Sequence, residues 1–299
     1  MPARLMRDLI DVLVFGIVAG TIYALIALSV VMTYRGSRVI NLALVEVGTG
    51  GLFVSWWLWE KAHVPYVIAC GLGVAAGVTV GVLFERLVVA RMADAERLAV
   101  SVATVGVSLA VFGIENIASG QSPRSLRPPV HGIAFRIDGA PVLGTQVFSL
   151  AVAVTLALLL TNALRRSDFG LAVLAAAQDP DAVRLVGAPL WRVSAFTWGA
   201  GCGLAVIAMI LSESTVATFV PGFGGRIFVL GLIGAVVGGL GDLRGAVVGG
   251  LAVGLAEAAV NQWVSPHVDV GGVSTVTVGG VLLAVLLLRP QGLLTRAAR

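Results

Sequence analysis

The sequence has little charge, a single lysine, two cysteines and three histidines. Only 12% of its 299 residues are charged, about half the share of an ordinary soluble domain, which excludes a water-facing globule of this length. Lys61 follows Glu60, so the chain has no phosphate-binding loop, which needs a lysine after glycine to reach a nucleotide's phosphates. Neither Gly-x-Ser-x-Gly nor His-Glu-x-x-His occurs. Cys70 and Cys202 lie singly inside apolar runs, without the spacing of a disulfide framework or a zinc site. His63, His131 and His267 fall in loops far apart in sequence and read as solvated histidines. The expectation is therefore no enzymatic activity, no catalytic residue, no metal and no cofactor.

What the sequence does hold is apolar residues, at 58%, and 38 glycines. Nine apolar runs, at about 12–33, 39–59, 66–85, 98–118, 143–164, 194–215, 227–241, 245–262 and 273–288, are separated by short basic loops. A span needs about 20 residues, so the chain is expected to be an all-α polytopic membrane bundle of about 8–9 transmembrane helices. The first run is longer than a signal-peptide core and no small-x-small site follows, so it reads as a retained span. The longest inner loop, Arg165–Arg192, is too short for its own core, and residues 1–299 read as one transmembrane domain. With the C-terminus in the cytoplasm, thirteen basic residues fall on the inner side and seven on the outer, which orients the N-terminus outside. The basic residues thus report orientation in a bilayer and do not indicate nucleic acid. Ser119–Val142, with Pro123, Pro128, Pro129 and Pro141, reads as an ordered outer loop.

Glycines four apart, at Gly16 and Gly20, at Gly73, Gly77 and Gly81, and at Gly250 and Gly254, allow close helix approach. Gly-Ala-Val-Val-Gly-Gly occurs at 234–239 and again at 245–250, which suggests a tight helical hairpin. In the long inner loop Asp179 is a good N-cap, Pro180 suits the first helical position and Asp181 adds charge to the first turn. Gly187 suits C′ and Pro189 blocks continuation. A helix of about two turns is specified there, either as a cover over the span ends or as a docking element for a partner protein.

Asp181-Ala182-Val183 followed by Gly187 resembles the Glu-Ala-Ala-x-x-x-Gly coupling-helix signature of ABC importer permeases. Ala177-Gln178-Asp179-Pro180 resembles its form in branched-chain amino-acid permeases, high-affinity systems, first permease subunit type. Gly20-Thr21-Ile22-Tyr23-Ala24-Leu25, Ile40-Asn41 to Glu46, Glu85-Arg86-Leu87, Ala103-Thr104-Val105-Gly106, Gly238-Gly239-Leu240-Gly241 and Arg289-Pro290-Gln291-Gly292-Leu293 follow in family order. The resemblance implies a permease subunit in a prokaryotic plasma (inner) membrane that imports branched-chain or related hydrophobic amino acids. Its implied partners are a second homologous permease, two ATPase subunits and an extracytoplasmic substrate-binding protein. It assigns Gln178, Asp179, Pro180, Asp181, Ala182, Arg184 and Gly187 to a coupling helix in a cytoplasmic loop, 165–193. Asn41-Leu42-Ala43-Leu44-Val45-Glu46 departs from the usual Asn-Phe-Ala-His-Gly-Glu, which leaves the substrate open among branched-chain amino acids, other amino acids, amides and urea.

Tyr23, Asn41 and Glu46 are the candidates to line the translocation path, because ionisable and polar groups at membrane depth usually face a bundle interior or cavity. A structural carboxylate for Glu46 and a packed aromatic for Tyr23 stay open as alternatives. Gly48, Gly50 and Gly51 allow the second helix to be broken near the bilayer. Glu115 with Asn116, and Glu257 with Asn261, read as hydrogen-bonding pairs that join helices, with substrate contact as the alternative. Two other readings compete. A secondary transporter of a small amino-acid-like or amide solute also uses broken helices and midplane polar groups. An integral membrane enzyme needs a cluster of His, Asp or nucleophilic Ser, which the sequence does not assemble.

Overall fold

The computed structural model describes residues 2–92, 95–130, 132–137, 140–176, 190–267 and 276–280. Its helices are α1 (Pro2–Ser37), α2 (Leu44–Glu60), α3 (Tyr66–Phe84), α4 (Arg97–Ser119), α5 (Gly144–Arg166), α6 (Asp168–Ala176), α7 (Leu190–Val216), α8 (Gly224–Gly238) and α9 (Leu243–Trp263). A hairpin of β1 (Ile133–Ile137) and β2 (Ala140–Leu143) precedes α5. Eight of the nine apolar runs thus become helices, and of the ninth only 276–280 are described, also helical. Six helices, those at Asp8–Ser37, Tyr66–Met92, Leu98–Ser119, Gly144–Arg166, Leu190–Val216 and Leu243–His267, are long and apolar enough to cross a membrane. With 17 residues α2 reaches only about 25 Å at roughly 1.5 Å per residue, slightly less than a hydrocarbon core.

The helix ends follow local chemistry. Arg38 takes a left-handed conformation (φ 56°) that closes α1, and its N–H donates to the Tyr34 carbonyl at 2.7 Å. Gly120 (φ 64°) does the same after α4. Asp242 caps α9, its carboxylate accepting from the Arg244 N–H at 3.1 Å. After α3 the chain widens into a π turn, Glu85–Val89, in which Glu85 is buried, and then tightens into a 3-10 turn, Ala90–Met92. The break allowed for the second helix lies before α2, not within it. Residues 38–43 leave helical geometry, whereas Gly48, Gly50 and Gly51 sit inside a continuous helix. Those glycines serve close approach instead: a Cβ at Gly48 would lie 3.1 Å from the Ala205 carbonyl oxygen on α7.

Helices α1 and α7 form the centre, with 78% of each apolar window buried, against 17% for α4 and α5. Around them α9, α8 and α5 pack on α1, while α3 and α2 pack on α7 and α4 on α2. The α1–α9 seam runs through the predicted glycines: a Cβ at Gly16 or Gly20 would lie 2.9 Å from the Cα of Leu255 or Leu251. The hexapeptide repeats form the hairpin of α8 and α9, with Gly234 facing Gly250 and Gly238 facing Gly245.

The bundle has two distinct ends. Arg35 Nε donates to the Gly241 carbonyl at 3.0 Å, Gly36 abuts Thr197, and the Arg86 guanidinium lies 5.2 Å from the Trp191 ring centroid at one end. Gln262 donates to Asp8 at 3.0 Å, and Arg124 and Phe219 exchange backbone hydrogen bonds at 2.9 Å, at the other. Residues 120–130 after α4 are thus anchored to the segment that follows α7, and β1 and β2 pair antiparallel in a hairpin that the sequence reading did not include.

Candidate functional site

Polar side chains inside the bundle collect along two seams. The first runs between α2 and α4. Asn41, ahead of α2, is 1% exposed and its carboxamide oxygen accepts from the Ala43 N–H at 2.9 Å. Thr104 on α4 accepts from the Leu42 N–H at 3.0 Å. Glu46 follows in the first turn of α2 and Glu115 in the last turns of α4, and Gly50, one turn beyond Glu46, faces the Glu115 carboxyl. Both are buried, at 8% and 5% exposure. Glu46 Oε2 and both carboxyl oxygens of Glu115 have no hydrogen-bond partner among the described residues. Beside Glu115 a cavity of about 460 Å³ opens between α2, α3 and α4, with walls made mainly of valine, tryptophan, alanine and glycine.

The second seam joins α1, α8 and α9. The Tyr23 hydroxyl donates to Glu257 Oε2 at 2.5 Å, and the guanidinium of Arg226 pairs with the other carboxylate oxygen. Glu257 is 4% exposed, so an unpaired charge there would carry a large desolvation cost. Of the three path candidates, Asn41 and Glu46 therefore share one seam, while Tyr23 stands in the other.

Glu213, which the sequence reading passed over, ties the segment after α4 to the central helix α7. Its Oε1 accepts from the Leu126 N–H at 2.9 Å, and the Arg124 guanidinium lies 4.7 Å from the Trp56 ring centroid. The available signal was an acidic residue inside the sixth apolar run. Among the described residues no group of three or more His, Cys, Asp or Glu is placed to hold a metal ion. Gln178, Asp179, Pro180, Asp181, Ala182, Arg184 and Gly187 lie outside the described residues. The described chain stops at α6 before them and resumes at α7, whose first turns belong to the Arg35–Gly241 end.

A bundle of several membrane-length apolar helices, with carboxyl groups buried along its interhelical seams, is the architecture of a polytopic integral membrane protein. The profile of the family described as "Branched-chain amino acid transport system / permease component" matches residues 12–288. The chain belongs to that family of permeases. It is 27% identical to the high-affinity branched-chain amino acid transport system permease protein LivH of Escherichia coli strain K12, over 94% of each chain. Identity to the corresponding protein BraD of Pseudomonas aeruginosa is 28%, over 95% of each. A probable branched-chain amino acid transport permease protein LivH of Methanocaldococcus jannaschii is 23% identical over 98% of this chain and 95% of its own.

Proposed function

We propose that this chain is one of two homologous permease subunits of an ATP-driven importer for branched-chain or related hydrophobic amino acids. ATP is hydrolysed by two partner ATPases, and an extracytoplasmic binding protein delivers the substrate. The observation that carries this reading is the family match across nearly the whole chain, joined to a sequence without a nucleotide-binding loop of its own. In this reading residues 1–299 act as a single membrane domain in a prokaryotic plasma membrane, N-terminus outside and C-terminus cytoplasmic. The path runs along the α2–α4 seam past Asn41 and Glu46. Tyr23, held by Glu257 in the second seam, braces α1 against α9. The helix at Asp179–Gly187, with Gln178, Pro180, Asp181, Ala182 and Arg184, docks on an ATPase subunit and transmits its closure as a rigid lever.

Reconstitution tests the reading. Vesicles holding both permeases, the ATPases and the binding protein should take up leucine, isoleucine or valine on ATP addition. Vesicles holding this chain alone should show neither uptake nor ATP hydrolysis. Gradient-driven uptake by the chain alone would turn the reading to a secondary carrier.

A further inference from the structure

The cavity between α2, α3 and α4 combines apolar walls with one ionisable side chain, Glu115, whose two carboxyl oxygens are answered by no donor among the described residues. We propose that this cavity is a substrate subsite that receives an aliphatic amino acid by its α-ammonium group, with Glu115 as the acceptor. This rests on the permease reading above and adds to it a site and a chemistry.

Four observations support it. The volume, about 460 Å³, falls within the range of small-molecule sites, which are largely apolar with a few polar groups that fix orientation. Val47, Val54, Val80, Val111 and Ile114 supply branched aliphatic walls for a branched aliphatic side chain. The charge is matched to a cation: Glu115 stands near the C-terminal end of α4, where the helix dipole is negative. Gly50 keeps the carboxyl uncovered from the α2 side, since a Cβ there would lie 3.3 Å from Glu115 Oε1.

A buried carboxyl without a partner is costly, and a ligand ammonium removes that cost only while it is bound. One ionic contact plus apolar walls makes a site that holds briefly and releases, as a translocation path requires. The mouth is rimmed by Trp57 and Ile114, 55% and 65% exposed.

The test uses the two-permease assembly and three changes, Glu115→Gln, Glu115→Asp and Val80→Trp. In complete vesicles Glu115→Gln, which keeps shape and removes charge, should lower leucine uptake at least tenfold, and Glu115→Asp should recover part of it. Val80→Trp, which fills the cavity from α3 and leaves the carboxyl in place, should lower uptake similarly. In the assembly without binding protein, 3-methylbutylamine should change tryptophan fluorescence saturably. 4-Methylpentanoate, which lacks the ammonium, should not, and Glu115→Gln should weaken the amine response at least tenfold.

Wild-type uptake by both Glu115→Gln and Val80→Trp, or equal responses to amine and acid, overturns the subsite. If Glu115→Gln fails to copurify with its partners, Val80→Trp decides alone. Failure of the wild-type vesicles to take up any branched-chain amino acid defeats the permease reading separately, and the amine titration still reads the cavity's chemistry.

Discussion

Tyr23 and Glu257 are 234 residues apart in the chain, and their hydrogen bond joins the first helix to α9 inside the membrane. Replacing Tyr23 by Phe leaves a buried carboxylate with one donor fewer, and replacing Glu257 by Gln removes its charge while keeping its shape. Interhelical hydrogen bonds of this kind contribute about 0.6 to 2 kcal/mol in membranes. A double-mutant cycle on thermal unfolding in detergent should therefore give a coupling of that size, and additive effects would show that the two groups do not share a bond. The sequence put Glu257 and Asn261 on one helix face as partners for another helix. Which hydroxyl reaches Glu257 was not legible, because spacing within a helix says nothing about which helix lies opposite. The same holds for Glu46 and Glu115: each was visible as an intramembrane acid, their place on one seam was not.

At the scale of the elements, glycine decides how closely helices pass. A methyl group on Gly20 would meet the Leu251 backbone at 2.9 Å, whereas one on Gly106 meets nothing within 4 Å. Gly20→Ala should thus force α1 and α9 apart at a cost of about 1 to 3 kcal/mol. Gly106→Ala should leave stability unchanged or raise it by up to about 1 kcal/mol through helix propensity. Opposite shifts of the thermal midpoint are the expected result, and equal shifts would remove the close-approach argument. In the proposed coupling element, Gly187→Val penalises the left-handed C′ conformation, and Asp179→Ala removes a cap worth about 0.5 to 2 kcal/mol. Both should insert normally yet reduce copurification of the ATPase subunits and substrate-stimulated hydrolysis. Unchanged assembly and hydrolysis would make that segment a surface cover. Spans and their ends were legible here because hydrophobic length and capping chemistry are local. The start of α2 was not, since the turn at 38–43 is held by a contact from Thr104 on another helix.

For the whole molecule, two ends of the bundle are defined by side chains that meet across it, and the proposed orientation assigns each to one face of the membrane. In a background lacking Cys70 and Cys202, Ser167→Cys should be labelled only from the cytoplasmic side and Arg127→Cys only from outside. Labelling of Ser167→Cys from outside inverts the topology. Composition and the length of the hydrophobic runs determined that this chain is a multi-span helical membrane protein and roughly where most of its helices lie, while the motifs that mark its family were legible by resemblance. Only the tertiary structure decided that α1 and α7 are central while α4 and α5 are peripheral, and that the buried Glu115 stands in the wall of a cavity beside the α2–α4 seam. The physical reason is that lipid tails and a bundle interior are equally apolar. Hydrophobicity tells a residue to leave water, and only packing and hydrogen bonding tell it which neighbour to face.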